Sequence, residues 1–185
     1  MSGEKRISHE DILKDKEWRW EKQRELLDRY KLPLVSLKLN IPGDIKINSL
    51  YIKIINAGIN AFLDKIEEIS IEKIWDKCYY KDEGPIFLGV LNIDSYSLKK
   101  LTLNIEEKHP LGRLFDFDVW ENSSHQLSRR ELGYGFRKCF LCEENAFICS
   151  RTRRHSVEEL LVKINKEAEA YFPTYDMKIS EFVRP

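Results

Sequence analysis

Leu111-Gly-Arg-Leu-Phe-Asp-Phe-Asp-Val119 is the stretch that organises this sequence. It reads as a buried strand with two carboxylates on one face. Side chains alternate across a strand, so Asp116 and Asp118 share a side while Phe115, Phe117 and Val119 share the other. By the same parity Arg113 starts on the apolar side, near the strand's beginning, where its long stem can bend. Aspartate is depleted in strands, and like charges at i and i+2 repel. Two acids placed this way, backed by an apolar face, suit a divalent metal beside phosphate chemistry. The plain alternative is a solvated face of an amphipathic strand.

Working outward, the flanking segments alternate between helical and strand periods. Asp94 can cap a helix that carries Leu98, Leu101 and Ile105 on one face, and His109-Pro110 ends it. His109 either caps that helix end through its charge or reaches the acidic site. Ile86–Ile93 is a nearly continuous apolar run, as expected of a central strand. Lys81–Pro85 reads as a turn and Lys73–Tyr80 as a strand. Ile52, Ile55, Ile59, Phe62, Leu63 and Ile66 recur at helical spacing, which predicts a helix over about 48–67. Pro33–Ile41 reads as a strand broken by Pro42 and Gly43. Asn40–Gly43 then precedes a helix, where backbone amides can meet phosphate or simply make a tight turn. Ser8 and Asp11 form a capping box for a mostly polar helix to about Tyr30, expected on the outside of the domain.

The predicted order is strand, helix, strand, strand, helix, strand. That is the split βαβ pattern of ferredoxin-like and polymerase-palm sheets. The expected fold is α+β: an antiparallel sheet with an N-terminal helix and a C-terminal basic, cysteine-containing helical lobe. A single domain is expected over 1–185, with the N-terminal helix at 1–32, the core at 33–125, the lobe at 126–172 and a tail at 173–185.

The C-terminal lobe differs in character from the core. Between Ser128 and His155 it holds Arg129, Arg130, Arg137, Lys138, Arg151, Arg153, Arg154 and His155 with few acids. Guanidinium forks match phosphate oxygens in pairs, so the run reads either as a polyphosphate clamp or as a solvated basic surface. Cys139, Cys142, Cys149 and His155 are ligand types that zinc favours, but only the first pair has a knuckle spacing. The alternative is that these cysteines are small buried residues packing the lobe. Cys78, alone on a strand, reads as core. Ser156 and Glu159 form a second capping box, for a helix with Leu160, Leu161, Ile164, Ala168 and Tyr171 as its stripe.

Charge and compartment bound the function. Of 185 residues 34% are charged, yet 31 basic and 31 acidic side chains balance, so no global field favours nucleic acid or an acidic membrane. No apolar run reaches a membrane span. The charged stretch 1–30 lacks the apolar core of a signal peptide, which predicts a cytoplasmic protein whose four cysteines are thiols or metal ligands.

These motifs together resemble a known family. Leu34-Val-Ser-Leu-Lys-Leu-Asn-Ile-Pro-Gly43, His109–Val119, Leu127-Ser-Arg-Arg-Glu-Leu-Gly133, Arg137-Lys-Cys-Phe-Leu-Cys142, Cys149 and Arg153-Arg-His-Ser-Val-Glu-Glu-Leu160 look like the CitX family. Its members are the apo-citrate lyase phosphoribosyl-dephospho-CoA transferases, also called holo-acyl-carrier-protein synthases of citrate lyase. The resemblance runs from about Leu34 to Phe172. It implies a nucleotidyltransferase that moves a prosthetic group from 2′-(5″-triphosphoribosyl)-3′-dephospho-CoA to a serine of the citrate lyase acyl carrier subunit, releasing diphosphate. Under that reading Asp116 and Asp118 hold Mg²⁺, and Arg113 with arginines of the 129–130 and 151–154 groups binds the leaving diphosphate, with His155 nearby. No Gly-Ser pair stands upstream of the D-x-D strand, as common nucleotidyltransferases have, and no third carboxylate is identifiable. The competing readings are a basic, zinc-stabilised module docking an acidic protein or nucleic acid, and a non-catalytic docking factor for the carrier subunit.

Overall fold

The computed structural model describes residues 7–172; the tail expected after Pro173 lies outside them. The described residues fall into two compact units that divide at Phe136–Arg137. The first is α+β, with an open five-stranded antiparallel sheet. Its elements run α1 (His9–Tyr30), β1 (Leu34–Leu39), α2 (Ser49–Glu68), β2 (Lys73–Lys81), β3 (Gly84–Leu91), α3 (Ser95–Lys108), β4 (Phe115–Asn122) and β5 (His125–Leu127). The second holds α4 (Ala146–Thr152) and α5 (Val157–Tyr171).

Strand order is β2-β3-β1-β4-β5, every neighbouring pair antiparallel. One strand therefore stands between β1 and β2, and another between β3 and β4, each gap bridged by a helix. The expected caps form: Ser8 and Asp11 close a capping box on α1, Asp94 accepts from the Ser97 amide, and Ser156 with Glu159 caps α5.

Each sheet face has its own core. On one face Phe62 of α2 packs on Phe87 and Phe117, ring centroids 6.0 and 5.8 Å apart. Gly58 of α2 lets Phe115 and Leu37 approach so closely that a Cβ there would lie 2.9 Å from the Phe115 ring. The other face carries α1. Leu26 and Leu27 join Leu34, Ile86, Leu88 and Val90, with Trp18, Trp75, Tyr79 and Trp120 packed against them. The helix expected on the outside is thus a sheet cover. Leu26 and Leu27 bury fully near its C-terminal end, Leu13 and Trp20 stay exposed, and its polar residues Asp15 and Gln23 are buried as well.

Several other expectations change. Leu111–Val119 is not strand throughout: Gly112–Leu114 is a 3-10 turn and the strand starts at Phe115. At Gly112 a Cβ would lie 2.5 Å from the Glu106 carbonyl oxygen, so the chain turns tightly over the end of α3 there. The expected five-residue turn between β2 and β3 shrinks to Asp82-Glu83, because Gly84 adopts φ 113° and pairs with Lys81. β5 is too short to announce itself in the sequence; it pairs with β4 through Val119–Leu127 and Trp120–Gln126. Cys78 is half-buried, since β2 is an edge strand.

Candidate active site

β4 is held in place partly by side chains. Lys99 Nζ donates to the Phe117 carbonyl at 2.9 Å, and the Phe117 amide donates to Glu106 Oε1 at 2.9 Å. Both partners are buried on α3. They satisfy strand groups next to the short β5, which pairs only from Val119 onward. The residue between the two aspartates is therefore fastened from α3, which sets where Asp116 and Asp118 project.

Asp116 and Asp118 alternate with the buried Phe115, Phe117 and Val119, as their spacing predicts. They face the α1 side of the sheet. Across β1 their register partners are Lys38 and Ser36. Lys38 Nζ lies 3.1 Å from Asp116 Oδ2 and 3.9 Å from Asp118 Oδ2. Gln126 of β5 donates to Asp118 Oδ1 at 2.6 Å, and Gln23 of α1 donates to Ser36 Oγ at 3.2 Å. Burial, and then the charge of Asp116, push the Asp118 carboxyl above the usual range; Lys38, Lys99 and Arg19 pull it back. Two carboxylates thus share one close ammonium, an acid-rich oxygen set that fits a hard divalent cation.

A pocket of about 280 Å³ opens beside the pair. Asp116, Lys38, Asn40, Ile41, Lys46 and Glu83 contribute to its lining. Glu83 pairs with Arg19 of α1, and its amide donates to Asp15 Oδ2 at 2.8 Å. Lys46 Nζ donates to the Ile41 carbonyl at 2.7 Å; burial lowers its pKa against the opposing charges of Glu83 and Asp44. The pocket therefore offers carboxylates and two lysines together, suited to a metal and phosphate pair.

Lys38, Lys46 and Glu83 escaped the sequence reading. Lys38 left a signal: Ser36 and Lys38 are polar at alternate positions of an otherwise apolar strand. Lys46 and Glu83 left none, being loop residues. Of the Asn40–Gly43 segment, Asn40 and Ile41 line the pocket, but the Asn40 amide already donates to the Leu114 carbonyl at 2.8 Å, so that donor is committed. Arg113 belongs to the 3-10 turn, so strand parity does not apply to it. Arg129 pairs with Glu107 of α3 at 2.8 Å, and Arg130 stacks on Phe136 with its guanidinium 4.2 Å from the ring centroid. His109 does not cap α3 as a cation. Its Nδ1 accepts the Leu111 amide at 3.0 Å, so the ring is neutral there, and burial lowers its pKa.

In the second unit, Arg151 stacks on Phe147 at 5.5 Å, and Arg153 closes α4 in the left-handed region at φ 48°. There the four zinc-type residues converge, with one ligand atom each from Cys139, Cys142, Cys149 and His155 within 4.8 Å of one another. Burial and the neighbouring sulfurs push the Cys149 thiol up to about 11. At Cys139 burial opposes ionisation, but amide donation from Leu141 and Cys142 together with hydrogen bonds from the Cys149 and Cys142 thiols leaves the thiol below its usual value.

The first unit is thus an antiparallel α+β fold with a strand-borne carboxylate pair beside two lysines. The family model described as "Apo-citrate lyase phosphoribosyl-dephospho-CoA transferase" (CitX) matches residues 7–171. A Vibrio cholerae relative named "Probable apo-citrate lyase phosphoribosyl-dephospho-CoA transferase" is 39% identical over 166 residues, 89% of this chain and 93% of that protein. The Citrobacter koseri "Apo-citrate lyase phosphoribosyl-dephospho-CoA transferase" is 32% identical over 158 residues, covering 85% and 86%. "Protein CitXG" of Leuconostoc mesenteroides subsp. cremoris is 34% identical over 172 residues, 90% of this chain but 36% of that longer protein. The chain belongs to the CitX family.

Proposed function

We propose that this chain transfers the phosphoribosyl-dephospho-CoA group from 2′-(5″-triphosphoribosyl)-3′-dephospho-CoA to a serine of the citrate lyase acyl carrier subunit. The reaction is a nucleotidyl transfer: the serine oxygen bonds to the α-phosphorus, the bond to the β-phosphate breaks, and diphosphate leaves. Family membership over nearly the whole described chain carries this reading. The sheet order, with each helix crossing over an intervening strand, supports a split βαβ core of the ferredoxin-like or palm-like kind. The family's names give transfer of phosphoribosyl-dephospho-CoA to apo-citrate lyase; the carrier subunit and the nucleotidyl class belong to the proposal, which the acidic pair and its lysines support.

Asp116 and Asp118 are the proposed holders of Mg²⁺, whose bound charge would offset that of the phosphates. The donor set fits it, because two carboxylates lie side by side on one sheet face and Lys38 reaches both of them. Lys38 and Lys46 orient and neutralise phosphate oxygens in the pocket. Arg113, Arg129 and Arg130 are proposed as further phosphate contacts, as are Arg151, Arg153 and Arg154. Arginines holding the leaving diphosphate matter most as its charge grows. The α+β site and its acidic pair favour catalysis over the simple docking module, and the balanced charge gives nucleic acid no particular attraction. Among the described residues no helix is long and apolar enough to cross a membrane; a cytoplasmic place for the reaction is part of the same proposal.

The test is intact-mass analysis of the apo-carrier subunit incubated with this protein, the triphosphoribosyl donor and Mg²⁺. Addition of one phosphoribosyl-dephospho-CoA group, with diphosphate release, is expected. An unchanged carrier mass with active controls rejects the transferase in favour of a docking factor.

A further inference from the structure

Cys142 Sγ lies 3.5 Å from Cys149 Sγ, and His155 Nε2 lies 3.3 Å from Cys142 Sγ. With Cys139 included, all four ligand atoms fall within 4.8 Å of one another. Zinc bonds of about 2.3 Å to sulfur and about 2.0 Å to imidazole place tetrahedral ligands roughly 3.5–3.8 Å apart. The Cys142–Cys149 and Cys142–His155 contacts, at 3.5 and 3.3 Å, are close to those edges, and the whole set falls within 4.8 Å. From the geometry we infer that Cys139, Cys142, Cys149 and His155 bind one structural zinc ion.

The local architecture supports this in three ways. The 139–142 turn has the form of a zinc knuckle: the Leu141 and Cys142 amides donate to the Cys139 sulfur, and a bridge between Lys138 and Asn145 closes the loop. Such amide donors favour a thiolate ligand. The ligands also come from three separate pieces of chain. They are the knuckle, the middle of α4, and the segment between α4 and α5. A metal would therefore tie together elements that few buried apolar residues hold. Among the described residues of the second unit only Cys149, Ile164, Ala168 and Phe172 are buried apolar groups. A unit with so small a core gains most from a metal staple.

Four protein ligands leave no open coordination position, so the ion is structural and does not activate water. Its consequence is local. Cys149 and His155 flank Arg151, Arg153 and Arg154, so the metal fixes the turn that presents these arginines. This role is independent of the transferase reading and stands or falls by metal content.

The experiment uses the full chain, purified with its thiols reduced from zinc-containing medium without added metal. Elemental analysis is expected to give one zinc per chain. Replacement by Co²⁺ is expected to give thiolate charge-transfer bands and the intense ligand-field bands of a tetrahedral S₃N site. Cys142→Ser and Cys149→Ser should each lower zinc occupancy several-fold and abolish the tetrahedral spectrum, whereas Cys78→Ser on β2 should leave both unchanged. Should the serine variants fail to fold, the wild-type spectrum and a thiol-blocking titration that releases one zinc still decide the question. Zinc-free wild-type protein that gives no tetrahedral cobalt spectrum overturns the inference. So does a Cys142–Cys149 disulfide as the resting state under the same reducing conditions.

Discussion

Lys38 of β1 stands opposite Asp116 of β4 in the antiparallel register, and its Nζ reaches Asp116 Oδ2 at 3.1 Å and Asp118 Oδ2 at 3.9 Å. One ammonium thus serves two carboxylates on a partly buried sheet face. Burial and the adjacent Asp116 charge still outweigh the pull of Lys38, Lys99 and Arg19 at Asp118, so its ionised form is a cost to the fold.

Asp118→Asn is expected to abolish transfer while stabilising the protein. The raised folded pKa of Asp118 means that its stabilising contribution is present below its ordinary value of 3.8 and is lost as pH rises through the folded value. At neutral pH the ionised group therefore costs stability, and removing it should gain about 1 kcal/mol. Thermal melts from pH 4 to 8 should show wild type losing ground to the variant as pH rises. Asp116→Asn should also lose nearly all transfer, by the intact-mass assay. Transfer close to wild-type rate in either variant would remove the acidic pair from the mechanism.

Lys38→Met should act in the opposite direction. It deprives both carboxylates of their close cation, so Asp118 should titrate higher still by carboxyl NMR, and melting temperature should fall. Lys38→Arg should recover stability better than turnover, because a guanidinium fork presents its donors differently from a point charge. A titration of Asp118 unmoved by Lys38→Met would show that the register contact has no electrostatic weight.

Gly58→Ala and Gly112→Ala probe the packing that seats β4. At Gly58, on α2, alanine gains about 1 kcal/mol in helix propensity, but its Cβ meets the buried Phe115 ring at 2.9 Å. Overpacking of about 1–3 kcal/mol should win. Gly112→Ala should be the worse of the two, since its Cβ meets backbone carbonyls that have little room to yield. Denaturant melts giving the reverse order would contradict the close approach of α3 to the 3-10 turn.

His109 is neutral in the fold, with a pKa below its ordinary 6.5. Its stabilising contribution is therefore complete above about that pH and lost as pH falls through the lowered folded value. His109→Phe keeps ring packing on Phe115 but removes the acceptor for the Leu111 amide. It should destabilise at pH 8 by about 1 kcal/mol, the usual worth of one hydrogen bond. The difference from wild type should shrink in melts on the acid side.

The arginines should show in turnover more than in affinity. Arg113→Ala is expected to be severe, and at least one of Arg129, Arg130, Arg153 and Arg154 should lower kcat at least tenfold on alanine substitution. Arg129 needs a control because of its ion pair: Glu107→Gln breaks that pair without removing the guanidinium. Equal kinetic loss in both variants would assign Arg129 to the fold. Near wild-type turnover in all five alanine variants would leave the phosphates to Lys38 and Lys46.

The sequence by itself determined the local features. Helix and strand periods, three side-chain caps, and the shared face of Asp116 and Asp118 follow from residues within a few positions of one another, where propensity, capping and alternation act directly. The knuckle pair Cys139 and Cys142 was legible for the same reason. Tertiary structure alone decided that α1 covers the aspartate face, that Lys38 lies opposite Asp116 and that Glu83 and Lys46 share their pocket; it also brought Cys149 and His155, which the sequence offered without a standard spacing, onto the knuckle pair. Each of these joins residues distant in the chain, and such a pairing is selected by the summed burial and hydrogen bonding of whole elements. A strand slipped by one residue would keep every local preference yet turn Lys38 to the opposite face of the sheet.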